Sequence, residues 1–140
     1  MNGPAEMLAN DAASTALGIR ALELGDGTAR LAMTITDRMV NGHGIGHGGY
    51  VFLLADTAFA CACNRHGSVT VAAQAEIDFI AVVREGDELV AEAVERVRFG
   101  RSGIYDITVR RGDEVVAEFR GRSRTLRPAA PNGADPAPGG

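Results

Sequence analysis

Asn41-Gly42-His43-Gly44-Ile45-Gly46-His47-Gly48-Gly49 leads without interruption into Tyr50-Val51-Phe52-Leu53-Leu54-Ala55-Asp56-Thr57-Ala58-Phe59-Ala60-Cys61-Ala62-Cys63-Asn64. From Gly48 to Asn64 the one charged residue is Asp56. Leu, Ala, Phe and Cys surround it on every side of a helical wheel, and a helix that is apolar all round is a buried helix. The stretch therefore predicts a central helix from about residue 49 to 65, ended by Gly67, with other elements wrapped around it. It also predicts one carboxylate in a place where carboxylates are costly.

The rest of the chain reads as strands. Residues 17–24 and 29–35 alternate around Gly25-Asp26-Gly27 and predict a hairpin. Residues 4–13 have the composition of a short helix, and 37–49 of a loop. Beyond the central helix, four strand-like runs follow at 69–83, 88–101, 103–111 and 114–126. Their separators, Glu85-Gly86-Asp87, Ser102-Gly103 and Gly112-Asp113, are short turns. Short turns predict consecutive antiparallel neighbours. Two strands, one long helix and four strands make an α+β architecture, a curved antiparallel sheet around one helix. Residues 1–127 read as a single domain. Residues 128–140, all Pro, Gly, Ala, Asn and Asp, read as a disordered tail.

Composition narrows the function classes. The net charge of −4 argues against generic nucleic-acid binding. No apolar run reaches spanning length, because Asp56 interrupts the longest. No signal peptide is legible, and the two cysteines lie on different faces of one helix, so a cytoplasmic setting is expected. His43 and His47 stand four apart, with Cys61, Cys63 and His66 downstream. That spacing lies in a glycine loop and matches no zinc pattern, so no metal and no cofactor is expected.

The chemistry sits at the start and in the middle of the helical stretch. Backbone N–H groups of Gly48 and Gly49, at the positive end of the helix dipole, suit a developing oxyanion. Asp56 lies eight residues on, ~12 Å along the axis at 1.5 Å per residue. A reacting carbonyl needs its nucleophile and its oxyanion donors each within ~3 Å. One helix cannot meet both demands, whereas two antiparallel copies related by a two-fold axis can. At least a homodimer is expected. The competing reading of Asp56 is an exposed acid on an imperfectly amphipathic helix. For the glycine loop it is a plain turn, and for Asn41 a turn former before Gly42.

The combination Asn41-Gly42-His43…His47-Gly48-Gly49…Leu54-Ala55-Asp56-Thr57-Ala58-Phe59-Ala60 closely resembles hot-dog-fold acyl-CoA thioesterases, the PaaI type of phenylacetic acid degradation. Ile77-Asp78-Phe79, Gly103-Ile104-Tyr105-Asp106-Ile107 and Phe119-Arg120-Gly121-Arg122-Ser123 resemble the same subgroup. The resemblance spans roughly 39–126. It implies a hot-dog fold and hydrolysis of aryl-acyl-CoA to the free acid and CoA. It further implies Asp56 as the catalytic carboxylate, reaching in from the partner subunit, and the Gly48 N–H as the group polarising the thioester carbonyl. Asn41 is implied to hold substrate or water, and His47 to support them. Gly49, Gln74, Arg101 and Tyr105 are the expected substrate contacts. Gln74 stands where relatives carry Ser or Thr, and Ala81-Val82 where many carry Arg-Pro. Asp56 acts either as nucleophile, through a mixed anhydride, or as general base on water. Arg120, Arg122 and Arg124 alternate along the last strand and offer cations to CoA phosphates, or else a solvated sheet face. The resemblance points to a homotetramer. A non-catalytic acyl-CoA-binding hot-dog protein and a hot-dog hydratase or dehydratase are the alternatives.

Overall fold

A computed structural model describes residues 3–64 and 69–126. Gly67, His66 and the expected tail at 128–140 lie outside the described residues. Two short helices open the chain, α1 (Pro4–Ala9) and α2 (Ala12–Ala16), followed by β1 (Arg20–Gly25) and β2 (Thr28–Thr34). The long helix α3 spans Gly48–Cys63, and β3 (Thr70–Phe79), β4 (Glu88–Phe99), β5 (Ser102–Arg111) and β6 (Glu114–Thr125) complete the order. The expected loop at 37–49 includes one 3-10 turn, Asp37–Met39.

The six strands form one antiparallel sheet in the order β1-β2-β4-β5-β6-β3. Helix α3 touches every strand. The inward positions alternate as a half-buried sheet requires. Leu31 and Met33 of β2, Leu89, Ala91 and Ala93 of β4, Tyr105, Ile107 and Val109 of β5, and Phe119 of β6 are all buried. Small residues face the helix where it comes closest. A Cβ on Gly121 would stand 2.6 Å from Cε2 of Phe59, so only glycine allows β6 this near to α3.

Two expectations are corrected. The strand expected over 69–83 ends at Phe79 and pairs with β6, not with β4. After Phe79 the chain leaves the sheet: the Ile80 and Ala81 N–H groups both donate to the Val116 carbonyl, and the Gly46 N–H donates to Val83 O at 2.7 Å. The turn at Glu85-Gly86-Asp87 therefore closes a crossover that clamps the glycine loop, rather than a hairpin. The helix, expected to run to about residue 65, ends at Cys63 with Asn64 as its cap. Asn64 leaves the helical conformation, and its side-chain amide donates to Ala60 O at 2.9 Å and Thr70 O at 3.0 Å. It accepts from the Thr70 N–H at 3.0 Å. One side chain thus ends α3 and anchors the start of β3.

Helix α3 is not enclosed on all sides. Nine of its sixteen residues are buried, while Gly49, Phe52, Leu53, Asp56 and Ala60 form a stripe left partly open. The spacing of three and four places them on one face. Edge strand β3 and its continuation add exposed Val71, Phe79, Ile80 and Val82. No helix among the described residues is long and apolar enough to cross a membrane.

Candidate active site

Asp56 sits midway along the open stripe of α3 and is half-buried. It lines a cavity of about 530 Å³ with Phe59, Ala60, Cys63 and Asn64 of the same helix region, Val69 and the first three residues of β3 (70–72), and Glu6, Met7 and Asn10 of α1 and its C-terminal cap. Burial raises its pKa above the ordinary carboxylate value, and the nearby Asp11 carboxylate raises it further. Both causes act in one direction because each disfavours the charged form. Cys61 and Cys63 are free and buried. Burial pushes them up to about 11 and about 12, so both stay thiols at neutral pH.

Asp11 belongs to a network that sequence reasoning missed. It caps α2, accepting from the Ser14 N–H at 3.0 Å and from Ser14 Oγ at 2.7 Å. Ser14 Oγ lies 3.0 Å from Thr57 Oγ1, the residue after Asp56. The signal was present: an Asp directly before the Ala-rich run 12–16 is a preferred N-cap residue. Nothing local says that the capped helix packs beside the acid.

The glycine loop is a built turn. Asn41 Oδ1 accepts from the His43 N–H at 2.9 Å and the Ile45 N–H at 3.4 Å, and the Asn41 N–H donates to Ile45 O at 2.8 Å. Asn41 is thus a turn former, with its side-chain oxygen committed to the backbone. Its side-chain amide hydrogens have no acceptor among the described residues. His47 is the N-cap of α3, its Nδ1 accepting from the Gly49 N–H at 3.0 Å. Acceptance at Nδ1 places the ring proton on Nε2. The Gly49 N–H is therefore occupied within the loop, whereas the Gly48 N–H, at the first helical position, has no acceptor among the described residues. Asn41, Gly46 and Gly48 line a second cavity of about 280 Å³ with Val51, Phe79–Val83 and Val116.

Within one chain, Asp56 and Gly48 line different cavities. The structure brings Asn41, His47, Gly48 and Gly49 together and leaves Asp56 eight residues along the rod. The remaining expected contacts scatter. Gln74 is exposed on β3, just past a bulge between Ala72 and Gln74. Arg101 is exposed in the turn before β5. Tyr105 is 2% exposed in the core, donates to Glu95 Oε1 at 2.8 Å and lines neither cavity. Arg120 is held by Asp106 through two bonds of 2.7 and 2.9 Å on the sheet surface.

Residues 43–118 match the family described as the Thioesterase superfamily. The chain is 45% identical over 121 residues to acyl-coenzyme A thioesterase PaaI of Escherichia coli strain K12, covering 86% of each sequence. Among solved structures, the Escherichia coli PaaI protein from the phenylacetic acid degradation operon is similar with a TM-score of 0.84 and 43% identity, over 87% of this chain and 89% of that one. A mutant form of the phenylacetic acid degradation protein PaaI from Thermus thermophilus is similar with a TM-score of 0.79 and 33% identity, over 81% of this chain and 98% of that one. The expected hot-dog fold, one long helix on a six-stranded antiparallel sheet, is what the chain adopts.

Proposed function

The chain belongs to the Thioesterase superfamily and is a thioester hydrolase, and from that premise we propose that it hydrolyses aryl-acyl-CoA, of the phenylacetyl and hydroxyphenylacetyl type, to the free acid and CoA. Asp56 of one subunit and the Gly48 N–H of its partner act on the same thioester. The observation that carries this reading is the placement of Asp56: one carboxylate, half-buried and raised in pKa, on the rim of an apolar cavity. A perturbed acid in a cleft marks a site of chemistry more often than a site of solvation.

The thioester carbonyl is attacked from one side while its oxygen gathers charge on the other. The Gly48 N–H meets that charge with the positive end of α3 behind it. His47, by holding the Gly49 N–H, keeps the loop in the conformation that aims Gly48 outward. Asn41 lines the same cavity and offers its amide hydrogens to substrate or to the attacking water. Asp56 either attacks the carbonyl, expelling the CoA thiolate and leaving a mixed anhydride for water to open, or takes the proton from water as water attacks. Both routes consume one water, release one thiol and require the ionised carboxylate.

The two-chain arrangement is supported by distance and by the surface. Asp56 is ~12 Å from Gly48 along its own helix, beyond reach of one carbonyl. The open stripe of α3 and the apolar edge strand β3 form the kind of face that a second copy covers. A homodimer is the minimum for this arrangement, and a tetramer could be assembled from two such dimers. The test is thiol release from phenylacetyl-CoA and hydroxyphenylacetyl-CoA. Turnover by the wild type and none by Asp56→Asn or Asp56→Ala is expected. Equal rates would remove Asp56 from the mechanism.

A further inference from the structure

The N-terminal arm is a wall of the acid's cavity. Met7, in α1, lines it together with Asp56, Phe59, Cys63 and Val71. Met7 is partly buried against the core cluster, whereas Glu6 and Asn10, the arm's other lining residues, are exposed. The arm is tied down one residue from the acid. Ser14 is 1% exposed, donates to Asp11 Oδ2 at 2.7 Å and stands 3.0 Å from Thr57 Oγ1. Ser14 Oγ donates to Asp11 Oδ2 and Thr57 Oγ1 donates to the Leu53 carbonyl at 2.8 Å, so the two hydroxyls meet at 3.0 Å with each proton already directed elsewhere.

The chemistry of the lining says which end of a thioester enters. CoA carries several phosphate charges. The described lining of this cavity holds two carboxylates, Glu6 and Asp56, and no basic side chain, and its walls are mostly apolar. Phosphates are repelled there and an uncharged, apolar group is accepted. Methionine is a flexible filler whose removal opens space without leaving an unpaired polar atom.

We propose that Met7 determines acyl selectivity, by closing the cavity beyond the acyl group of a thioester held at Asp56, with the Asp11–Ser14–Thr57 chain fixing the arm in place. This rests on Asp56 being the reacting carboxylate. Met7→Ala lengthens the cavity, and Met7→Phe shortens it. The assay is kcat/KM for phenylacetyl-CoA and for 4-phenylbutyryl-CoA, two methylenes longer, with wild type, both Met7 variants, Ser14→Ala and Asp56→Asn. A methylene that gains or loses its contacts in an apolar pocket changes specificity by about tenfold or more. Met7→Ala is expected to raise the ratio of the longer to the shorter substrate by about tenfold, and Met7→Phe to lower it. Ser14→Ala, which frees the arm without touching the lining, is expected to shift the ratio in the direction of Met7→Ala. Ratios within twofold of wild type for both Met7 variants, with Asp56→Asn inactive, would overturn the selectivity role and leave the catalytic reading standing. Full turnover by Asp56→Asn would overturn both.

Discussion

Replacing Gly48 by proline removes a single backbone N–H, the one proposed to hold the thioester oxygen. The fold is prepared for the change. Gly48 is the first residue of α3, where proline's fixed φ suits the helix and the lost N–H had no intrahelical acceptor. His47 before it has φ −67° and ψ 132°, the extended conformation that proline imposes on its predecessor. The steric cost is small. A Cβ at Gly48 would stand 3.0 Å from Cζ and 3.1 Å from Cε1 of Phe79, and that ring, 56% exposed in the single chain, must give by only a few tenths of an ångström. Gly48→Ala adds the same Cβ and keeps the N–H, so it reports the cost of the Cβ against Phe79 by itself. Loss of one oxyanion donor costs about 3 kcal/mol of barrier, roughly 100- to 1000-fold in kcat. The proline variant is therefore expected at least about 100-fold below the alanine variant in kcat for phenylacetyl-CoA, followed by thiol release. Thermal unfolding of the two should agree within a few degrees. Equal turnover by the two variants would refute the oxyanion role of Gly48.

In the proposed mechanism Asp56 acts in its ionised form, and burial and Asp11 both raise its pKa, so kcat/KM should fall as pH drops through that raised value. Asp11→Asn removes the second cause and should move this limb to lower pH; movement to higher pH would contradict the assignment. The same shift has a stability consequence. A carboxyl raised in the folded state contributes stability that is present below its unfolded pKa and lost as pH rises through the folded one. Asp56→Asn should therefore raise Tm at neutral pH and give no such gain under acid conditions, as differential scanning calorimetry at several pH values will show. Gly121→Ala drives a Cβ to 2.6 Å from Phe59 Cε2, whose side chain is 1% exposed and cannot step aside. It should lower stability by about 1–3 kcal/mol, seen as a lower urea midpoint at unchanged slope.

The long helix, the glycine loop and the isolated acid were legible because each is a local pattern. Apolar residues around Asp56 speak for burial, and glycines before a helix speak for exposed N–H groups. Strand pairing was not local. The signal at Glu85-Gly86-Asp87 marks a turn but not its partners, and the apolar run Ile80–Val83 reads as strand although its N–H groups serve Val116 and the glycine loop. The helix end was misplaced because Gly67 is a stronger punctuation mark than Asn64, yet Asn64 has the hydrogen-bond partners. The open stripe on α3 looked buried because sequence periodicity cannot separate a face covered by the same chain from one left partly open. The N-terminal arm escaped as a cavity wall for the same reason: its composition predicts a helix, not a neighbour.

Shared sites make one prediction that a single-chain site cannot. On the proposed arrangement Asp56→Asn and Gly48→Pro each spoil a different half of the site, and each is expected to be inactive alone. In a mixed dimer one site collects both lesions and the other collects none. Random exchange of equal amounts makes about half the dimers mixed, so about a quarter of wild-type activity should return. Thiol release measured after unfolding and refolding the two variants together, against each refolded alone, is the measurement. Recovery near that fraction is the expected result, and a mixture as inactive as its components would place the acid and the N–H in one chain and contradict the account.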